Sequence, residues 1–259
     1  MRLTDVDRQR FRHLQKLGLD LRHFFDAGAS NGRWSSRVSE DFPEAEFDLF
    51  EPLAEIAPAY REGLEETLSG HPKFRLHKVA LGAECKRASM FLYPQNLVGS
   101  TALELGFKPQ AAEVVEVDML TIDYAIQEFR LPVPQVIKID TQGCELAILR
   151  GASRTLPQVE ALLLECWLTR GYGKPTPLWL EVAEFLRGVD FHLWDVGNGW
   201  RDEEGTLVTQ DCFFLNARSR VSRLQDEARR MPPATEPVLA AASSRPAWLD
   251  RVRNLLWHP

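Results

Sequence analysis

The sequence has 259 residues, 44% hydrophobic and 26% charged, which suits one large α/β domain with appendages and excludes a chain too polar to build a core. A formal charge of −6 lacks the basic footprint of a general nucleic-acid binder. No apolar run approaches the roughly 18–20 residues of a membrane helix. The four cysteines, Cys85, Cys144, Cys166 and Cys212, form no CxxC pair, so reduced core thiols are expected in place of a zinc knuckle or a disulfide framework. The opening stretch MRLTDVDRQRFRHLQKLG is charged throughout and has no apolar h-region, so no signal peptide is expected and the cytoplasm is the default compartment.

In chain order, Val6, Phe11, Leu14 and Leu17 recur at helical spacing, and residues 1–20 read as an N-terminal helix packing on the core. Residues 21–216 then read as one domain. "LRHFFDAGASNG" is a strand running into a glycine-bearing turn, residues 33–41 a helix, "EFDLFEP" a strand, 54–69 a helix and "FRLHKVALG" a third strand. This β-α-β-α-β order predicts a parallel, doubly wound sheet. "RASMFLYP" and "AEVVEVDML" form a small β insert, separated by the loop "QNLVGSTALELGFKP". A helix over 121–130, the strand and helix of "IKIDTQGCELAILRGA", the strand "VEALLLEC" and a helix over 178–187 follow. "DFHLWDVG" and "DCFFLNA" flank the polar turn at 202–205 and predict a closing antiparallel hairpin. Residues 217–259 form a tail with two predicted helices about a Pro-, Ala- and Ser-rich linker. Trp248, Leu249, Val252, Leu255 and Leu256 share one face of the last helix, an apolar stripe for its own domain or for a second copy in a homodimer.

In an open α/β sheet the ligand sits beyond the carboxyl ends of the strands, where their order reverses. The first such turn reads Asp26-Ala27-Gly28-Ala29-Ser30-Asn31-Gly32. Gly28 and Gly32 permit a sharp turn and close backbone approach to a ligand. Their G-x-x-x-G spacing is not the G-x-G-x-x-G of a dinucleotide site, and an acid at the head of the turn repels a diphosphate. Asp26 suits a cation instead, the α-amino group of S-adenosylmethionine. Glu51 ends the second strand about twenty residues on, where an acid takes ribose hydroxyls.

The chain resembles the FkbM family of S-adenosylmethionine-dependent methyltransferases over roughly residues 21–216. The resemblance rests on "FFDAGASNG", "LFEP", "VALG", "VGSTAL", "VDMLTIDY" and above all "IKIDTQGCELAILRGA". Ser30 departs from the family pattern, which more usually has asparagine there. The resemblance implies a class I, Rossmann-like methyltransferase fold with a mostly parallel seven-stranded sheet. It also implies methyl transfer to a hydroxyl of a small metabolite, sugar or glycan.

Such an acceptor needs a general base or a hard cation such as magnesium to remove or polarise its proton. Asp140 and Glu165 end two apolar strands at the crevice, and Glu145 follows Asp140 by a turn of chain; all three are catalytic candidates. Asp140 and Glu165 are also the candidate metal ligands. Cofactor contacts are expected from Asp26, Gly28, Ala29, Gly32, Glu51, Ala80, Leu81, Ser100 and Asp140. The segment Val79-Ala80-Leu81 suits an adenine slot, and Ser100 and Thr101 are small hydroxyl donors. His77 and His192 are further bases to consider, although a lone strand histidine is more often structural. "WLTRGYGKPTPLW" is expected to roof the acceptor, with Trp167, Tyr172 and Trp179 as stacking surfaces. Alternatives are an N-methyltransferase on the same scaffold and a non-catalytic S-adenosylmethionine-binding subunit. A nicotinamide dehydrogenase is disfavoured by the glycine spacing and Asp26.

Overall fold

Side chains alternate across a strand, so a strand apolar on both faces must be covered on both. β1 (His23–Ala27) is such a strand, buried throughout. Phe24 enters one hydrophobic cluster and Phe25 the other. The computed structural model describes residues 3–103 and 112–223. The chain divides into a unit of residues 1–223 and a unit of residues 224–259. The apolar face expected at 248–256 and most of the helix expected after 217 lie outside the described residues.

α1 (Leu3–Lys16) precedes β1, and α2 (Arg33–Ser39), β2 (Glu46–Phe50), α3 (Pro58–Gly70) and β3 (Phe74–His77) follow it. A small group comprises β4 (Ala80–Leu81), β5 (Lys86–Leu92) and β6 (Glu113–Leu120). The chain then forms α4 (Ile122–Glu128), β7 (Val136–Ile139), α5 (Glu145–Arg150), β8 (Ala161–Trp167), α6 (Trp179–Gly188), β9 (Phe191–Arg201) and β10 (Leu207–Asn216). The main sheet has the order β3-β2-β1-β7-β8-β10-β9. Its first five strands run parallel, and β10 pairs antiparallel with both β8 and β9. The expected Rossmann-like sheet with a closing hairpin and a small β insert is therefore present.

Strand order reverses between β1 and β7. The chain steps outward from β1 to β3 and returns to pair β7 on the other side of β1, which opens a crevice at their carboxyl ends. Helices α1 and α2 cover one face and α4, α5 and α6 the other. The N-terminal helix belongs to this core. Phe11 is fully buried and makes edge-on contacts with Phe24, Trp34 and Phe213 at centroid distances of 5.7, 6.1 and 5.7 Å.

The third strand differs from its expected extent. "FRLHKVALG" is not continuous: β3 stops at His77, and Ala80-Leu81 leave the main sheet to pair with Met119 and Leu120 of β6. The insert is thereby anchored beside the crevice. The helix expected from residue 54 begins at Pro58, because residues 51–56 form a turn in which the Leu53 N–H donates to the Glu51 carboxylate. α4 is capped by Thr121, whose hydroxyl accepts from the Tyr124 N–H at 3.0 Å.

Phe11→Ala should lower the unfolding free energy by about 3–5 kcal/mol in denaturant titration, the range for deleting a buried aromatic. A loss below about 1 kcal/mol would mean that the N-terminal helix does not share the core.

Candidate active site

The crevice opens into a cavity of about 620 Å³. The first strand-to-helix turn forms one wall. Gly28 and Ala29 donate their N–H groups to Phe50 O at 3.0 and 3.2 Å, which ties the turn to the end of β2. Gly28 has φ +79°, and a Cβ there would stand 2.0 Å from Asp140 O, so only glycine lets β1 and β7 end side by side. Ser30 has φ +53°, a left-handed conformation that asparagine tolerates better, so the usual family residue suits this backbone. The Ser30 N–H is used: it donates to Glu51 Oε2 at 2.8 Å.

Glu51 is nearly fully buried and lines the cavity. Backbone N–H groups reach both of its oxygens, from Ser30 and from Leu53 at 2.9 Å. Burial still pushes its carboxyl up to about 7. Ala80 and Leu81, with Phe50, Val79 and Met90, make an apolar wall beside it, and Ser100 closes the loop side. This slot, with an acid at one edge, suits a nucleoside.

Asp26 does not face the cavity, contrary to the expectation. It is fully buried, its Oδ1 takes Lys138 Nζ at 2.9 Å and its Oδ2 takes the Ser35 hydroxyl at 2.7 Å. A carboxylate paired this way inside a sheet is not available to a ligand amine. Lys138 also donates to Gly28 O at 3.2 Å and lies 3.6 Å from Asp140. Gly32 caps α2 and lies outside the cavity wall, as does Ala29.

Asp140 and Glu165 do line the cavity. The Asp140 side chain is 42% exposed, whereas Glu165 is largely buried. Burial, reinforced by Asp140, Glu145 and Asp211, pushes Glu165 up to about 9, so it holds a proton at neutral pH. Between the two acids stands Gln142, whose Nε2 donates to Glu165 at 2.9 Å and contacts Asp140 at 3.4 Å. Gln142 has φ +59°, a strained conformation for this residue type. Its carbonyl accepts from the Thr101 hydroxyl at 2.7 Å, and its Oε1 lies 3.1 Å from the Tyr172 hydroxyl, which also reaches Gly99 O. Thr101 is thus a loop clasp and not a ligand donor.

Glu145 is likewise corrected. It is buried outside the cavity wall, where its Oε1 accepts from the N–H groups of Gly143 and Thr141 and closes the β7–α5 turn. Gly143 makes that turn at φ +98°. Among the described residues no three His, Cys, Asp or Glu side chains gather as metal ligands. Asp140 and Glu165 have an amide N–H group between them, a donor where a cation would need an acceptor.

His77 bonds Asp48 and stacks on Phe50 and Phe129, away from the cavity. His192 is an exposed residue of β9. Trp167 and Tyr172 line the cavity; Trp179 instead packs against the core under α6. Trp200 of β9, 58% exposed at the cavity wall, was not anticipated, because its strand looked like plain edge hairpin. Lys138 and Gln142 were missed as well. A lone charge in each of two neighbouring apolar strands, Asp26 and Lys138, is the signal that pairs them.

A sequence profile of the methyltransferase FkbM domain matches residues 26–193. No curated protein matches the sequence. Among solved structures, the FkbM methyltransferase of Methylobacillus flagellatus aligns with 17% identity and a TM-score of 0.49, over 75% of this chain and 43% of that one. The chain thus spans less than half the length of that protein. The O-methyltransferase TomG of Streptomyces achromogenes, in complex with S-adenosylmethionine, aligns with 10% identity and a TM-score of 0.46, over 81% and 79% of the two chains. The magnesium protoporphyrin IX methyltransferase of Synechocystis gives 10% identity and 0.47, over 82% and 77%.

Glu51 and Glu145 (each about 7) and Glu165 (about 9) all keep their protons longer in the folded chain than in the unfolded one. The folded state then binds more protons, so stability should fall as pH rises from about 5 to 9. Glu165→Gln should flatten the upper part of that fall in urea titrations at successive pH values. An unchanged slope would contradict a protonated Glu165.

Proposed function

The chain belongs to the FkbM methyltransferase family, and from that premise we propose that it binds S-adenosylmethionine and methylates a hydroxyl of a small metabolite, sugar or glycan. One observation carries the reading. A single cavity joins a nucleoside-sized apolar slot edged by Glu51 to the half-exposed carboxylate of Asp140. The residues present fit the cofactor: an apolar wall of Phe50, Ala80 and Leu81 and a buried carboxylate edge at Glu51. Ala80 and Leu81 would flank the adenine, and Glu51 would take the ribose hydroxyls. When bound, the cofactor supplies an electrophilic methyl group.

The protein's task is then to hold the acceptor and manage one proton. Asp140 is open to the cavity and accepts the proton that the acceptor hydroxyl loses as its oxygen gains the methyl group. Glu165, already protonated at neutral pH, does not compete for that proton. Gln142 fixes the spacing of the two acids from a backbone that cannot easily shift. Trp167 and Tyr172 give the acceptor a flat apolar wall and, with the loop over 96–100, exclude water.

Calorimetry should give a dissociation constant on the order of micromolar for S-adenosylmethionine. In a methyl-transfer screen over hydroxylated sugars and metabolites, Asp140→Asn should lower kcat by about 10²–10⁴-fold. Cofactor affinity should stay within about threefold. No binding of the cofactor would overturn the reading, and equal loss of binding and turnover would make Asp140 structural.

A further inference from the structure

The far end of the large cavity is built on β7, β8 and β10. Antiparallel register sets Thr209 opposite Trp167 and Asp211 opposite Glu165, so Thr209 and Glu165 are diagonal neighbours on one face of the sheet. Their side chains meet at 3.1 Å, Thr209 Oγ1 to Glu165 Oε1, while Glu165 Oε2 accepts from Gln142 Nε2 at 2.9 Å. The same Gln142 nitrogen lies 3.4 Å from Asp140 Oδ1. Asp140 and Glu165 thus share one amide nitrogen, and with Thr209 they line one cavity.

The two acids offer a ligand opposite things. Asp140, half-exposed beside the Lys138 ammonium, offers an acceptor. Glu165 has no cationic partner among the described residues, is largely buried, and stands near Asp140, Glu145 and Asp211, which together keep it protonated. A carboxylic acid and a hydroxyl hold two O–H protons between them. One closes the 3.1 Å hydrogen bond between Glu165 and Thr209. The other has no protein acceptor among the described residues, and both side chains border the cavity. One O–H donor is therefore left for a ligand.

That donor does not suit the reacting oxygen, whose lone pair must go to the methyl carbon and is held back by any hydrogen bond donated onto it. It suits a second oxygen. Because the donor and Asp140 are bridged by one nitrogen, that second oxygen is a close neighbour of the first, on the next carbon of the acceptor. Charge narrows the class further. No Lys, Arg or His lines this cavity among the described residues, whereas Glu51, Asp140 and Glu165 do. Lys138 is already engaged by Asp26 at 2.9 Å and Gly28 O at 3.2 Å. A phosphate or carboxylate on the acceptor would enter beside carboxyls with no free counter-charge.

We infer that Asp140, Gln142, Glu165 and Thr209 select an uncharged acceptor with oxygens on adjacent carbons. The reacting hydroxyl donates to Asp140, and its neighbour accepts the hydrogen bond left over between Glu165 and Thr209. This rests on the large cavity being the cofactor site, and it narrows the acceptor to neutral vicinal diols.

The test uses the full chain saturated with S-adenosylhomocysteine and titrated, by ligand-observed NMR, with 1,2-cyclohexanediol, 1,3-cyclohexanediol, cyclohexanol and 2-hydroxycyclohexanecarboxylate. The first should bind at least about fivefold tighter than the 1,3-diol or cyclohexanol, the scale of one hydrogen bond to a buried donor. The carboxylate should bind no better than cyclohexanol. Glu165→Leu removes the donor and should bring the two diols together, leaving S-adenosylhomocysteine affinity within about twofold. Glu165→Gln keeps an N–H in its place and should keep the preference. The ligand series on the unsubstituted protein decides the matter if Glu165→Leu does not fold. Equal binding of the two diols, no binding of either, or tighter binding of the carboxylate overturns the assignment alone. Loss of the preference in Glu165→Gln also overturns it, since packing and not a donor would then set it. A loss of S-adenosylhomocysteine affinity in Glu165→Leu equal to the loss for the 1,2-diol gives Glu165 to the cofactor and overturns it too. Absence of S-adenosylhomocysteine binding to the unsubstituted protein overturns this assignment and the reading of the large cavity together.

Discussion

The buried ion pair between Asp26 and Lys138 holds the crevice together. It joins the last turns of β1 and β7 at 2.9 Å, just where strand order reverses. Its two charges are held by further partners. Ser35 holds the second oxygen of Asp26, the Trp34 ring lies 5.5 Å from the Lys138 ammonium, and the same ammonium grips Gly28 O and approaches Asp140. Two charges inside a sheet are tolerable only with such complete partnering. Removing one would leave the other stranded at a cost of about 3–5 kcal/mol. The pair ties the Gly28 turn to the strand that ends in Asp140.

From that fixed point the site grows in two directions. Toward β2 the turn hands its N–H groups to Phe50 O and Glu51, and the insert folds back through Ala80-Leu81 to supply an apolar wall. Toward β8 and β10 the polar groups multiply: Asp140, Gln142, Glu165 and Thr209 are linked through side-chain hydrogen bonds. The first direction is an apolar slot edged by a buried carboxylate, and Gly28, Glu51, Ala80 and Leu81 lie within the residues matched by the family profile. The second draws on α1, β9 and β10 as well.

Much of this was legible in the sequence because it depends on local pattern. Apolar runs ending in an acid gave β7 with Asp140 and β8 with Glu165, and "DAGASNG" gave the turn. Glu51, Ala80, Leu81 and Ser100 line the cavity, and the parallel, doubly wound character of the sheet followed from the alternation of elements. What was not legible depends on neighbours distant in sequence. Asp26 looked like a ligand for a cation, and it is one, but the cation is Lys138 from 112 residues away. Glu145 had the spacing of a catalytic acid and the geometry of a turn clasp. Gln142 carried no signal, since its importance comes from a left-handed backbone and from partners in the insert loop and at Tyr172. Asp7 and Trp200 sit in elements that read as ordinary amphipathic helix and edge strand, and only packing brings them to the crevice.

The central claim is that the cavity between the Gly28 turn and Asp140 is the cofactor site, with Glu51 as its ribose contact. A crystal structure of the full chain with S-adenosylhomocysteine tests it most directly. The account predicts ribose hydroxyls on the Glu51 carboxylate, adenine against Ala80 and Leu81, and the sulfur on the side of Asp140. A ligand bound elsewhere, or one lying in this cavity with Glu51 untouched, would contradict it.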